Sequence, residues 1–182
     1  MKFRRFGHAE LVATFEALDS VATIPRRVVV FGGTAIALYT GSNVGTSDVD
    51  YQPPSLDDLI AQVADRDLPT FSMPAIAEFP YNYEARLHRV LPELARLQVF
   101  LPEPHDLALS KMLRWYVNDE SHVRELHRVH RMSVVTLVER YRTEMDHVMG
   151  DPRRIDANFL ELIDALFGEI AAQDAREGLK RR

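Results

Sequence analysis

VVVFGGTAIALYTGSNVGTSDVDYQ, residues 28–52, contains the pattern that decides the fold. A β-branched run ends at two adjacent glycines, and a short segment of helical composition follows them. Asp48 and Asp50 then stand one residue apart in DVDYQ, where charged or polar side chains alternate with apolar or aromatic ones. Because the side chains of a strand point alternately to its two faces, we predict that DVDYQ is a strand with both aspartates on one face and Val49 in the core.

The two glycines and two aspartates are residue types that suit a metal and phosphate site. A turn without β-carbons lets backbone N–H groups approach phosphate oxygens, and a helix that follows Gly32 and Gly33 presents its positive N-terminus to them. Asp48 and Asp50 supply oxygen ligands, and Mg²⁺ commonly takes one or two carboxylates together with substrate phosphates. Neither the P-loop pattern nor the dinucleotide-binding glycine pattern occurs here. The spacing therefore predicts a phosphate site of another class.

Composition restricts the class of protein. The 182 residues suit one domain, or one domain with a helical extension, and 46% hydrophobic with 27% charged residues is typical of a globular protein. The absence of cysteine excludes disulfides and thiolate zinc sites, and a net charge of -5 argues against a protein that coats nucleic acid. No apolar run approaches the roughly 20 residues of a membrane span, and no signal-peptide pattern opens the chain, so we expect a cytoplasmic protein with no membrane partner.

The predicted elements run from a helix, through strands interleaved with helices, to helices alone. HAELVATFEALDSV is an amphipathic helix, and Thr34 and Ser55 are predicted to cap two later helices, the first of which ends at Gly41. The predicted strands are 28–31, 48–52 and 94–101, with 84–90 as a further candidate.

From Pro104 onward the pattern is helical, with one long helix across RIDANFLELIDALFGEIAA and a frayed tail, REGLKRR. We predict an α+β fold, in which a small mixed sheet has its helices packed on one side and a helical bundle follows at the C-terminus. Residues 1–103 form the α/β core in this prediction, and residues 104–182 form a helical part packed as one unit with the core.

FGGTAIALYTGSNVGTSDVDYQ resembles the first motif of the DNA polymerase β-like nucleotidyltransferase superfamily, in which Asp-x-Asp on a strand follows a Gly-Gly or Gly-Ser turn. HDLALSKMLRWYVNDESHVREL resembles a later helix of the minimal nucleotidyltransferase-like domains that include AbiEii-type toxins. Lys111 and Asp119, eight residues apart, occupy the places of a lysine and an aspartate in that helix. The resemblance implies a nucleotidyltransferase-type sheet.

The resemblance also implies an activity, which is transfer of a nucleoside monophosphate from a nucleoside triphosphate to tRNA or to a protein hydroxyl. Such a protein would be a bacterial toxin with an antitoxin partner. Asp48 and Asp50 would be catalytic and hold Mg²⁺, with Mn²⁺ as the alternative ion. Lys111 would act on the phosphates as a point charge, and Asp119 would complete the site or orient the lysine. The residues that would bind the nucleotide are Gly32, Gly33, Thr34, Thr46 and Ser47.

Three features depart from the family pattern. Val44 stands where the family often has an arginine, and His122 stands where a second aspartate commonly follows the helical one. No third strand carboxylate is evident, although Glu84 would supply one if residues 84–90 paired with the sheet. These departures favour an alternative, which is a catalytically silent nucleotidyltransferase-like domain that binds a nucleotide or a partner protein.

Other side chains have simpler interpretations beside a functional one. Asp119 is a candidate helix cap, and Trp115 is either a core residue or a platform that stacks on a base. The arginine-rich segment 120–142 is either a solvated helical surface or a landing site for an RNA end. Three histidines in that segment do not predict zinc, because no suitable carboxylate shares their face.

Overall fold

The computed structural model describes residues 4–42, 45–74 and 78–179. The chain divides into two compact units, the first made of residues 1–76 and 87–102 and the second of residues 77–86 and 103–182. The predicted α+β class is confirmed, since the first unit holds a five-stranded mixed sheet and the second is built from helices. That residues 1–103 and 104–182 pack as one unit stays a prediction.

The sheet of the first unit has the strand order β3-β2-β1-β5-β4. Strand β1 is antiparallel to β2 and parallel to β5, β2 is parallel to β3, and β4 is antiparallel to β5. The elements of this unit are α1 (His8–Val21), β1 (Arg26–Phe31), α2 (Gly32–Thr40), β2 (Asp48–Gln52), α3 (Asp57–Gln62), β3 (Thr70–Ser72), β4 (His88–Val90) and β5 (Leu97–Leu101).

One face of this sheet forms the core of the first unit. The apolar residues of β1 and β5 that alternate onto this face are fully buried, as is Val49 of β2. Helices α1 and α2 pack on it, and α1 contributes Leu11, Phe15 and Leu18, whose helical spacing places them on one stripe. The prediction that helices pack on one side of the sheet is therefore confirmed for this unit.

The second unit is built from five helices and a short 3₁₀ turn, Tyr83–Arg86, among its described residues. Gly168, at φ +88, separates the last two helices, so the single long helix predicted there is wrong. The helices are α4 (Pro104–Met112), α5 (Val117–His130), α6 (Val134–Glu144), α7 (Pro152–Phe167) and α8 (Glu169–Leu179).

Several local predictions need correction. Thr34 does not cap α2, because the helix begins two residues earlier at Gly32. The N-cap of α3 is Leu56 rather than Ser55, although the Ser55 hydroxyl accepts the N–H of Asp57, the first residue of that helix, at 3.1 Å. In the tail predicted to be frayed, residues 176–179 are helical, and residues 180–182 lie outside the described residues. Gly41 does end α2 in the left-handed conformation, as predicted.

Candidate functional site

The two aspartates of β2 lie on the sheet face opposite the core. Asp48 and Asp50 are both half-buried, whereas Val49 and Tyr51 between and after them are 0% and 2% exposed. The predicted alternation of DVDYQ is confirmed. Phe31, the last residue of β1, pairs directly with Asp50, so the chain turns into α2 next to that aspartate.

Gly32 makes the closest approach between the turn and the aspartates. Its φ is +66°, a conformation that L side chains rarely adopt, and a Cβ added there would lie 2.4 Å from Oδ2 of Asp50. The Asp50 carboxylate thus occupies the space that any other residue would need for its side chain. Only glycine satisfies the backbone angle and the contact together, which explains why a glycine follows the last residue of β1.

Two buried threonines hold Asp48 in place. The Thr34 hydroxyl donates to the main-chain oxygen of Asp48 at 2.8 Å. The Thr46 hydroxyl lies 2.8 Å from Oδ1 of Asp48 and 3.0 Å from its main-chain oxygen. Thr34 is 0% and Thr46 8% exposed, so both side chains are engaged within the fold. Thr34 fixes the main chain of Asp48 and Thr46 also fixes its carboxylate, so neither offers a free hydroxyl to a ligand.

Two further predicted nucleotide-binding residues flank the aspartates. Gly33 is half-buried in the first turn of α2. Ser47 is half-buried just before β2, and its main-chain oxygen accepts a hydrogen bond from the Thr70 N–H at 3.2 Å. All five predicted nucleotide-binding residues and both predicted metal ligands therefore belong to the first unit, around the start of β2 and of α2.

Asp48 and Asp50 suit a Mg²⁺ ion that takes its other ligands from water and from substrate phosphates. In the described part of the chain no three His, Asp or Glu side chains gather in a group that could hold a metal ion. The register places Gln98 and Phe100 of β5 on the face that carries Asp48 and Asp50, and neither is a carboxylate. Mg²⁺ usually retains waters and binds through one or two carboxylates plus substrate phosphates. Two aspartates are enough for such an ion, whereas a site in which the protein supplies every ligand would need more side chains.

One departure from the family pattern can now be located. Glu84 is exposed on the 3₁₀ turn of the second unit, and the neighbouring strand begins only at His88, so the condition under which it would be a sheet carboxylate is not met. Val44 lies outside the described residues.

Lys111 and Asp119 form a buried ion pair in the second unit. Nζ of Lys111 lies 3.0 Å from Oδ1 of Asp119, and the two side chains are only 4% and 6% exposed. Oδ2 of Asp119 also accepts the Tyr116 N–H at 3.2 Å, at the N-terminus of α5, and Arg114 approaches Oδ1 at 3.4 Å. Asp119 therefore caps the helix and orients the lysine, which are two of the roles that the sequence left open.

The turn between α4 and α5 also contains Trp115. This residue has a φ of +45° and is half-buried, so it is not a fully buried core side chain. Strained backbone of this kind persists only where the surrounding structure enforces it. The Lys111–Asp119 pair spans this turn, and the Trp115 N–H donates to the main-chain oxygen of Lys111 at 3.2 Å.

A network of ion pairs in the second unit was not predicted from sequence. Arg86 binds Asp106 through Nε and Nη2 at 2.9 and 3.0 Å and also contacts Glu144 at 2.7 Å. Arg140 contacts the same Asp106 at 2.8 Å and also binds Glu103. Asp106 is fully buried, and two arginines compensate its charge.

His105 extends this network. Its Nδ1 lies 2.7 Å from Oε1 of Glu103, and its Nε2 accepts the Ser133 N–H at 2.7 Å at the start of α6. Burial raises the pKa of Glu103, but the contacts from His105 and Arg140 outweigh burial and hold that pKa at about 2. The network thus links residues that lie far apart in sequence.

The arginine-rich segment does not form a continuous basic surface. Arg124 pairs with Glu120, Arg128 pairs with Glu125, and Arg140 belongs to the buried network. Three of the five arginines in this segment are therefore neutralised by neighbouring carboxylates. This pairing favours the interpretation as a helical surface over a landing site for an RNA end.

The arrangement defines a class of protein. A glycine turn that touches an Asp-x-Asp strand in a small mixed sheet, followed by a helical unit, is the architecture expected of a nucleotidyltransferase-like domain. The chain belongs to the DUF6036 family, described as "Nucleotidyltransferase of unknown function", whose family model matches residues 9–166. No curated protein and no solved structure matches the chain. Within the described residues, no helix has the length and apolar character to cross a membrane.

Proposed function

We propose that this protein is a metal-dependent nucleotidyltransferase that moves a nucleoside monophosphate from a nucleoside triphosphate to an acceptor hydroxyl on tRNA or on a protein. Mg²⁺ is the proposed ion, with Mn²⁺ as its alternative. The observation that supports the nucleotide site of this proposal is the close approach of Gly32 to Asp50, because it brings a glycine turn next to a pair of carboxylates. The family to which the chain belongs supports a nucleotide as substrate.

The site residues of the first unit have different roles in this proposal. The N-terminus of α2 at Gly32 and Gly33 binds the terminal phosphates through backbone N–H groups and the positive end of the helix dipole. Asp48 and Asp50 hold the ion, and Thr46 fixes the Asp48 carboxylate through Oδ1. A bound divalent ion supplies Lewis-acid stabilisation of the charge that develops on the phosphates.

Lys111 and Asp119 are proposed catalytic residues of the second unit. The ammonium group of Lys111 neutralises phosphate charge in this proposal, and Asp119 holds that group at 3.0 Å. Both side chains are buried, so the ion pair compensates the charge of each inside the fold.

A second candidate function is a catalytically silent domain that binds a nucleotide or a partner protein. A specific observation favours it: among the described residues, the face with Asp48 and Asp50 has Gln98 and Phe100 on β5 rather than a third carboxylate. Two carboxylates suffice to hold an ion with its nucleotide, whereas transfer also needs a group that accepts the proton of the attacking hydroxyl.

Calorimetry with each of the four Mg²⁺–ribonucleoside triphosphates tests the nucleotide site. The Asp48→Ala, Asp50→Ala double variant is compared with Asp57→Ala, Asp65→Ala, which removes the same charge from exposed positions. Binding by the wild type and the control, with loss in the site variant, is the expected result. Failure of the wild type to bind any of the four contradicts the proposal.

Label from an α-³²P nucleoside triphosphate then separates the two candidate functions. Transfer to tRNA or to protein that depends on Asp48 and Asp50 identifies an enzyme, whereas binding without transfer identifies a silent domain. The control is the same Asp57→Ala, Asp65→Ala variant, which should transfer label at the wild-type rate.

The proposal also includes a biological role, that of a toxin. We place the protein with the AbiEii-type relatives, as a bacterial toxin that acts in the cytoplasm and has an antitoxin partner, on the sequence resemblance alone. Induced expression of the wild type should arrest growth, and expression of the Asp48→Ala, Asp50→Ala variant at equal level should not. Normal growth with active enzyme in the cell contradicts the toxin role and leaves the transferase activity intact.

A further inference from the structure

A cavity of about 390 Å³ opens beside Asp48 in the first unit. Its wall includes Ser47 and Asp48 at the start of β2 and Thr70, which pairs with Asp48 in β3. The volume lies near the lower end of the roughly 300–1,000 Å³ of small-molecule sites. The cavity therefore suits one side chain or one small group rather than an extended strand of nucleic acid.

The cavity and the glycine turn lie on opposite sides of β2. In the strand order β3-β2-β1, Gly32 follows β1 on one side, whereas Thr70 of β3 bounds the cavity on the other. The carboxylates of Asp48 and Asp50 stand between them on the same sheet face. A group bound at the turn and a group bound in the cavity would thus meet at the aspartates from opposite directions.

Nucleotidyl transfer requires the attacking group and the leaving group to lie on opposite sides of the reacting phosphorus. The attacking oxygen and the leaving oxygen lie roughly in line through the reacting phosphorus. If the terminal phosphates bind at the glycine turn, pyrophosphate leaves toward that turn, and the acceptor hydroxyl must approach from the side of β3. The cavity beside Asp48 lies on that side.

The chemistry of the wall selects the acceptor class. Phe6 and Leu68 provide apolar surface, and the described cavity lining contains one cation, Arg4. Arg4 donates to Glu10 at 2.6 Å and also pairs with Asp67, so its charge is already compensated. A nucleic-acid end carries phosphates that need cationic partners, and the described lining offers no cation that is not already paired.

We infer that this β2–β3 cavity is the acceptor site and that the acceptor is a hydroxyl-bearing side chain of a polypeptide; the inference rests on the proposed function. In the reaction, a bond forms between the acceptor oxygen and the α-phosphorus, and the bond from that phosphorus to the bridging oxygen of pyrophosphate breaks. The proton of the hydroxyl passes to the carboxylate of Asp67 in the wall and then to water.

The first test measures acceptor binding in the absence of nucleotide and metal. Amide chemical shifts of the ¹⁵N-labelled full chain are followed by NMR during titration with N-acetyl-tyrosinamide, N-acetyl-serinamide and the RNA tetranucleotide ACCA. At least one of the two amino-acid amides should shift the amide signals of Ser47, Leu68 and Thr70, and the RNA should not. Shifts caused by the RNA at these signals, or by none of the three probes, overturn the inference.

A variant that fills the cavity provides the second readout. Thr70 is exposed on a short edge strand, so Thr70→Trp adds bulk to the wall without burying a polar group. Val135→Trp, at a position 70% exposed on α6, is the matched control. We expect Thr70→Trp to weaken binding of the amino-acid amide at least tenfold and the control to leave it unchanged. Equal binding by both variants overturns the inference.

Failure of this inference and failure of the proposed function give different results. Calorimetry with the Mg²⁺–nucleoside triphosphates is run on the same wild-type sample. Nucleotide binding without amide binding at the cavity overturns the acceptor site and leaves the nucleotide site intact. The absence of nucleotide binding overturns the proposed function, whatever the amides do.

Discussion

Replacement of Gly32 by alanine should separate the backbone role of this glycine from its role beside Asp50. The substitution has two effects. An L-residue at φ +66° loses about 1–2 kcal/mol relative to glycine. The new Cβ would also lie 2.4 Å from Oδ2 of Asp50, and ordinary contact begins near 3.4 Å, so the carboxylate must move by about 1 Å.

This displacement determines the expected loss of function. Metal–ligand distances are held to within about 0.2 Å, so a carboxylate that moves by about 1 Å no longer coordinates the ion. Affinity for the Mg²⁺–nucleotide should therefore fall to that of an Asp50→Ala variant. If the protein transfers nucleotides, a misplacement of this size should reduce the rate by about 10²-fold.

Gly41→Ala is the matched control. Gly41 has a φ of +63° and no atom within 4 Å of an added Cβ, so it carries the same backbone penalty without the contact. Urea denaturation should show a loss of about 1–2 kcal/mol in the control, and calorimetry should show unchanged nucleotide binding. If Gly32→Ala binds the Mg²⁺–nucleotide as tightly as Gly41→Ala does, Asp50 is not a ligand and the assignment of the site is wrong.

Three further predictions concern buried polar groups. Thr34→Val removes the donor to the main-chain oxygen of Asp48, so the free energy of unfolding in urea should fall by about 1–2 kcal/mol and Mg²⁺–nucleotide binding should weaken; unchanged values contradict the positioning role. Lys111→Met leaves the carboxylate of Asp119 buried without its lysine and should lower the free energy of unfolding by about 3 kcal/mol. The pairing is contradicted if this loss is no larger than the loss caused by replacing an exposed lysine or arginine with methionine. The pKa of Glu103 is about 2 in the folded protein against an ordinary value of 4.5, so its contribution to stability, up to about 3 kcal/mol, is present above about pH 4.5 and is lost as the pH falls toward 2. Chemical denaturation of the wild type and Glu103→Gln across this range checks the last point, because the difference between them should shrink as the pH falls.

The parts of the fold that sequence predicted are those with local signals. The bounds of β2 follow from strict alternation over five residues, and Gly41 marks a helix end because only a left-handed residue closes that turn. Thr34 misled the prediction, because a threonine after glycines suggests a cap, whereas the helix begins at Gly32 with a positive φ.

The missed features have no local signal. Strand β3, Thr70–Ser72, has three residues, too few to show a period, and it forms through pairing with β2. The network around Asp106 joins residues that are 20 to 58 positions apart, so no spacing in the sequence reveals it. The Asp67 and Thr70 side chains of the cavity likewise come together with Asp48 only through the sheet.

The geometry supports a cation and phosphate site more directly than it supports transfer. Two carboxylates on one strand face repel each other, and a bound divalent ion and the N-terminus of α2 both lower that repulsion. A silent binder and an enzyme would share this arrangement, so the contact between Gly32 and Asp50 does not separate them. A second site on the far side of β2, which we propose for the cavity beside Asp48, would separate them, because a domain that only holds a nucleotide has no need of it. Occupation of that cavity by a hydroxyl-bearing side chain would therefore be the observation that favours transfer over binding alone.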